Sequence, residues 1–170
     1  MFSSLVRFIL LIVCALISVV GAYIGFWPIF VITFIASFAL LWGYYKAGTV
    51  PLALARLRKN EYKETEKLID QIQKPQYLSK RNKAYFYFIN GMLTRENDQF
   101  KESKPFLEQA MDSGKLKEPD KAMALLALAD MELVQKHTSA ARQYFLQMKG
   151  MKVHPAMMDA IRKMQAWLDI

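Results

Sequence analysis

The sequence predicts an all-α protein in two parts: an apolar helical hairpin, then an array of paired helices closed by one last helix. Three observations predict it. From Phe8 to Tyr45 there is no Asp, Glu, Lys, Arg or His, whereas the rest of the chain is richly charged. After Lys46, proline and glycine fall between runs of helical apolar periodicity rather than within them, Pro105 and Gly91 excepted. A set of side-chain types then recurs at a constant shift, the one that carries Asn60 onto Asp98 and Asp98 onto Lys136.

The charge-free run is long. As one rod at about 1.5 Å per residue it would reach about 57 Å, nearly twice a hydrocarbon core of about 30 Å. The stretch Gly21 to Pro28 supplies a break. Residues 1–46 are therefore expected to form a transmembrane hairpin with spans at about 5–22 and 27–45. Arg7 precedes the first span, and Lys46, Arg56, Arg58 and Lys59 follow the second, while the turn carries no charge. Lys and Arg flanking a span stay on the cytoplasmic side, which puts both termini there. Trp27, Trp42, Tyr44 and Tyr45 suit the aromatic belts of the two interfaces. The expected localisation is a two-span integral protein of a bacterial inner membrane, with the lipid bilayer as a partner. Val20-Gly21-Ala22 resembles a signal-peptide cleavage site, but the first apolar stretch is long for a signal core and a second follows at once.

Cys14, Ser18 and Ala22 recur every fourth residue on the first span, and Ala39 and Gly43 do so on the second. Small residues at this spacing let helices approach closely, either span on span or against another membrane protein, so a membrane-protein complex is a possible partner. The run holds no ionisable group, which argues against a proton relay or ion pathway.

Residues 47–170 read as a helical repeat domain. Of the 23 Lys and Arg only Arg7 precedes Lys46, and the formal net charge is +8. The cations are spread along the chain and are densest at Arg56-Leu57-Arg58-Lys59 and Lys74–Lys83, where they suit an anionic membrane leaflet. No groove-reading motif accompanies them, so nucleic acid is not an expected partner. The single cysteine, Cys14, excludes a disulfide framework and a CxxC metal knuckle. Thr49-Val50-Pro51 places a capping residue and a first-turn proline before a helix over 52–59. An amphipathic helix is expected over 62–73, stopped by Pro75, and Ser79 caps a long one to about Glu96. Helices over 99–112 (stopped by Gly114), from Pro119 to about Lys136, over 138–148 and from Pro155 onward complete seven.

The constant shift aligns Asn60-Glu61-Tyr62 with Asp98-Gln99-Phe100 and with Lys136-His137-Thr138. It also aligns Ala53, Gly91 and Ala129; Thr65, Ser103 and Ala141; and Ile69, Leu107 and Phe145. Small residues permit close helix crossing and the bulky one fills the gap between units, the logic of stacked helical hairpins. The pattern resembles the tetratricopeptide repeat (TPR). Tyr87, Gly91, Phe100, Ser103, Leu107 and Ala110 of the middle unit fall at that family's aromatic, glycine, aromatic, small, bulky and alanine positions. Leu125, Leu128, Ala129, Ala141 and Phe145 carry the third unit; Tyr62, Thr65 and Ile69 carry a degenerate first. Units lie at about 49–75, 79–114 and 119–150, with a capping helix at 155–168 whose Met157, Ile161, Met164 and Leu168 form one stripe. The resemblance implies a short TPR-like α-solenoid with a concave surface that binds peptides or helices of other proteins.

On that resemblance the groove residues are Tyr85, Phe88, Met92 and Arg95 of the middle unit, and Met123, Leu126, Asp130 and Leu133 of the third. Phe88 and Met92 stand where a carboxylate-capturing member would carry Lys and Asn, so the surface suits an apolar or amphipathic helix instead. Catalysis finds little support. Asp130 and Glu132 are two residues apart and face different sides of a helix, and no phosphate loop, HExxH, GxSxG or metal cluster occurs. Neither enzymatic activity nor a cofactor or metal is expected. The expected function is a membrane-anchored adaptor or scaffold presenting its groove to a protein partner. The alternative is a structural accessory subunit of a membrane complex assembled through the hairpin.

Overall fold

The computed structural model of the chain describes residues 12–13, 16–17, 19–21, 23, 25 and 27–168. These are helix, turn and loop, with no strand among the described residues. Helix α1 spans Trp27–Ala47. Three hairpins follow: α2 (Val50–Leu57) with α3 (Tyr62–Asp70), α4 (Lys80–Glu96) with α5 (Phe100–Asp112), and α6 (Glu118–Val134) with α7 (Thr138–Met148). Helix α8 (Met158–Leu168) comes last, entered through a 3₁₀ turn at Pro155–Met157.

The hairpin turns are copies of one another. Asn60, Asp98 and Lys136 all have positive φ, at 59°, 58° and 64°. Each sits just past a helix, where a left-handed residue lets two amide N–H groups turn back to the last carbonyls. Asn60 and Glu61 donate to Leu57 and Arg56, Asp98 and Gln99 to Arg95 and Thr94, and Lys136 and His137 to Leu133 and Glu132. The period of the sequence is thus a period in backbone conformation. Short turns of this kind fold each pair of helices antiparallel.

The aligned positions are packing positions. Ala53, Gly91 and Ala129 are buried, as are Thr65, Ser103 and Ala141, and Ile69, Leu107 and Phe145. Gly91 is required by contact rather than by conformation: a Cβ there would lie 2.7 Å from Cγ and Cδ2 of Leu107. The Ser103 hydroxyl donates to the Gly91 carbonyl at 2.7 Å, pinning α5 to α4 at the same point. One core runs through the first two hairpins and into α6 by way of Val50, Phe88, Ile89, Leu107 and Leu128. A second joins the third hairpin to α8, with Leu125 and Phe145 against Met157, Met164 and Leu168. Arg142 of α7 also donates to the Leu168 carbonyl at 2.9 Å, holding the end of α8.

Helix boundaries follow the local chemistry with small shifts. Ser79 caps α4 by accepting from the Asn82 amide. Helix α3 ends at Asp70, short of the expected Gln73, because Gln71 to Lys74 lead into a 3₁₀ turn at Pro75–Tyr77. Pro105, the sixth residue of α5, lies inside the helix without ending it, and its missing amide leaves the carbonyl of Lys101, four residues back, without a helical donor.

The membrane assignment is corrected. Among the described residues no helix is long and apolar enough to cross a membrane, which overturns the two-span integral protein with both termini cytoplasmic. Helix α1 begins at Trp27-Pro28 and its sequence closes on Trp42-Gly43-Tyr44-Tyr45-Lys46. Ile29–Leu41 remains as its aliphatic and phenylalanine-rich run, interrupted by Thr33 and Ser37. That is about 20 Å, short of a hydrocarbon core of about 30 Å. The expected first span at 5–22 falls largely outside the described residues, as do Cys14, Ser18 and Ala22. Ala39 and Gly43 lie on α1, outside the residues whose side chains are described.

Candidate functional site

A cavity of about 580 Å³ opens between α4, α6 and α8. Met92 and Arg95 reach it from α4, and Met123, Leu126, Asp130 and Leu133 from α6. These residues share a side of each helix because they recur at spacings of three and four. Six of the eight expected groove residues therefore meet at one place. The other two do not: Tyr85 and Phe88 are buried in the core, where their rings meet edge to face at 6.4 Å. The aromatic run 85–88 covers every side of its helix, so register alone could not say which of its rings face inward.

Helix α8 supplies the wall that the repeat register missed. Met157, Ala160, Lys163, Met164 and Trp167 close the cavity from the C-terminal side. Part of the signal was present: Met157 and Met164 belong to the apolar stripe of 157, 161, 164 and 168 that packs α8 down, whereas Ala160 and Trp167 lie beside that stripe and are exposed. Trp167 stands at the rim with 77% of its surface exposed. The chemistry of the walls is apolar and thioether-rich, with three charged groups. Arg95 and Asp130 form an ion pair across the cavity between α4 and α6, and Lys163 adds a cation from α8. The Nε of Arg95 is buried with no hydrogen-bond partner among the described residues.

No protein-family model, curated protein or solved structure matches this chain.

Two buried carboxylates lie on α6, a helix that lines the cavity. Asp120, 4% exposed, accepts from Arg58 Nη2 at 2.9 and 3.0 Å and from the Tyr85 hydroxyl at 2.8 Å. The same hydroxyl accepts from the Lys117 amide at 3.2 Å. Burial raises the Tyr85 phenol above its ordinary range, and its bond to Asp120 acts in the same direction. Glu132, also 4% exposed, accepts from Lys104 Nζ at 2.7 Å and meets His137 Nδ1 at 2.9 Å. The Lys104 ammonium holds Glu132 below the usual carboxylate range, and Lys104 is raised in turn. Beside it Tyr144 donates to Glu108 at 2.8 Å, and burial together with that bond pushes its phenol up to about 12.

Asp130 and Glu132 do face different sides of α6, one paired with Arg95 and the other with Lys104 and His137. His137 occupies the N-cap position of α7. No group of three or more His, Cys, Asp and Glu placed to hold a metal occurs among the described residues. The arrangement can bind apolar groups and orient them against one ion pair. The buried carboxylates serve to join helices.

Proposed function

We propose that the chain is a protein-binding adaptor or scaffold module, a TPR-like α-solenoid capped by α8, whose cavity takes the apolar face of an amphipathic helix. The periodic turns and the equal burial of aligned positions support the solenoid reading. The cavity carries the functional reading. Its volume of about 580 Å³ is that of a pocket for a few side chains, such as the anchors projecting from two turns of a bound helix. Met92, Met123 and Leu126 give it flexible, polarisable walls. Arg95 and Lys163 outnumber Asp130 at the site, which favours a helix with acidic flanks.

The test is a photoreactive residue placed at Met123 in living cells, with Lys101 on the exposed face of α5 as control. One dominant protein captured from Met123, absent from Lys101 and lost when Leu126→Lys is added, supports the adaptor. Capture that is the same from both positions overturns it.

A further inference from the structure

Helix α1 is predominantly apolar, and the hairpins leave its described apolar side chains uncovered. Ile32, Ile35 and Phe38 are 67%, 61% and 59% exposed. Its C-terminal end is set into a basic segment. Gly48, at φ +56°, lies so close to Leu78 and Ile72 that a Cβ on it would be 3.2 Å from Leu78 Cδ2. Gly48 and Thr49 share a small cleft with Lys74 and Tyr77. Lys74 sits 6.0 Å from the centre of the Tyr77 ring, and Lys83 sits 5.9 Å from that of Tyr87. Lys80 and Arg81 open α4 directly after.

Carboxylates are missing from the segments that carry these residues, the nearest in sequence being Asp70 at the end of α3. No Asp or Glu occurs between Met1 and Asn60, and none between Gln71 and Arg95. Arg56 and Arg58 are engaged by Glu61, Glu64 and Asp120. Lys74, Lys80, Arg81 and Lys83 enter no ion pair among the described residues. Three of them crowd the first turn of α4, at the positive end of the helix dipole, where cations are locally unfavourable. Their placement is not explained by the stability of the helix they start.

We infer that α1 and this basic collar together form a docking surface for an anionic phospholipid surface, onto which the protein adsorbs without crossing it. Acyl chains take up the exposed Ile, Phe and Trp side chains, while headgroup phosphates meet the cations at the base of the helix. Lysine suits that boundary, because its stem stays in apolar surroundings while the ammonium reaches outward. Charge complementarity selects this occupant over the others. A polynucleotide would neutralise the collar but leave α1 in water. A second copy would cover α1 but bring two collars of the same sign together.

The test is flotation of the purified full chain with vesicles of phosphatidylcholine, with and without phosphatidylglycerol. Binding to the anionic vesicles and its loss at high salt are expected. At about fivefold per cation, the combined Lys74→Gln, Lys80→Gln and Arg81→Gln variant should bind about a hundredfold more weakly. These side chains lie outside the core, and far-ultraviolet circular dichroism checks that the helices are retained. Phe38→Asp, on α1 alone, should also weaken binding while leaving its salt dependence in place. Equal binding to neutral vesicles overturns the inference. So does an absence of vesicle binding, whether the chain then dimerises through α1 in a way that Ile35→Asp abolishes or binds a single-stranded oligonucleotide through the collar.

Discussion

Helix α6 buries a carboxylate near each end, and the two are held in opposite ways. Asp120 lies in the first turn, where the exposed amides of the helix and its dipole favour negative charge. Arg58 and the Tyr85 hydroxyl add to a site already electropositive, and the result ties the end of α2 and the first half of α4 to the start of α6. Glu132 lies in the last turn, where the dipole opposes it. It depends on Lys104 from α5 and His137 from the hairpin turn. Two acids with the same burial thus differ in what surrounds them. One is supported by the backbone and merely completed by its partners; the other is supported by a cation.

Removing the cations should expose that difference. Lys104→Met leaves Glu132 buried against the dipole and should cost about 2–3 kcal/mol in urea unfolding at neutral pH, below the range for fully enclosed pairs because water reaches Lys104. Arg58→Met leaves Asp120 its dipole and its tyrosine and should cost about 1 kcal/mol. Equal costs would break the comparison.

Acid should act on the Glu132 end. Glu132 titrates below its unfolded value, so its contribution is present above about pH 4.5 and is lost as pH falls through the folded value. The melting temperature of Glu132→Gln should accordingly fall less between about pH 5 and pH 3 than that of the parent chain. A smaller effect is expected in alkali. Tyr144 is raised to about 12, so its contribution is complete below about pH 10 and disappears as pH climbs through about 12. Tyr144→Phe should flatten that alkaline loss and cost about 1 kcal/mol at neutral pH. The smallest change concerns the turn next to Glu132. Lys136 adopts φ 64° without the local hydrogen bonding that makes Asn60 and Asp98 tolerant of it. Lys136→Gly should stabilise the chain by about 0.5–1 kcal/mol.

Much of this fold was legible in the sequence, for local reasons. Ser79 announced α4 because a hydroxyl at that position accepts an amide that nothing else would satisfy. Thr138 to Met148 was legible because a turn and Gly150 bracket it. The repeat register located the buried small residues, since Ala53, Gly91 and Ala129 each meet a neighbouring helix that any larger side chain would displace. Side-chain direction within an all-apolar stretch was not legible. Tyr85 and Phe88 were placed at the surface and proved to be core, because a run of four aromatics has no polar face to orient it. Of the two buried carboxylates of α6, Glu132 was weighed only beside Asp130 and set aside as no catalytic pair, and Asp120 was not singled out, yet an acid within a helix rich in Ala, Leu and Met is itself a sign of a buried partner. Those partners, Arg58 and Lys104, lie 62 and 28 residues away, a distance at which sequence spacing says nothing. The N-terminal run misled for a related reason. Freedom from charge measures what a helix lacks, whereas crossing a bilayer also requires an unbroken apolar length.

The three hairpin turns share backbone angles, hydrogen bonds and period, which makes them interchangeable joints. A chain cut at Asp98 and rejoined at Lys136 meets the same carbonyls in the same geometry, and a second copy of residues 98–135 inserted there begins and ends on matching joints. Length is therefore a variable this architecture can change one joint-to-joint segment at a time, with the apolar helix at one end and the closing helix at the other left as they are.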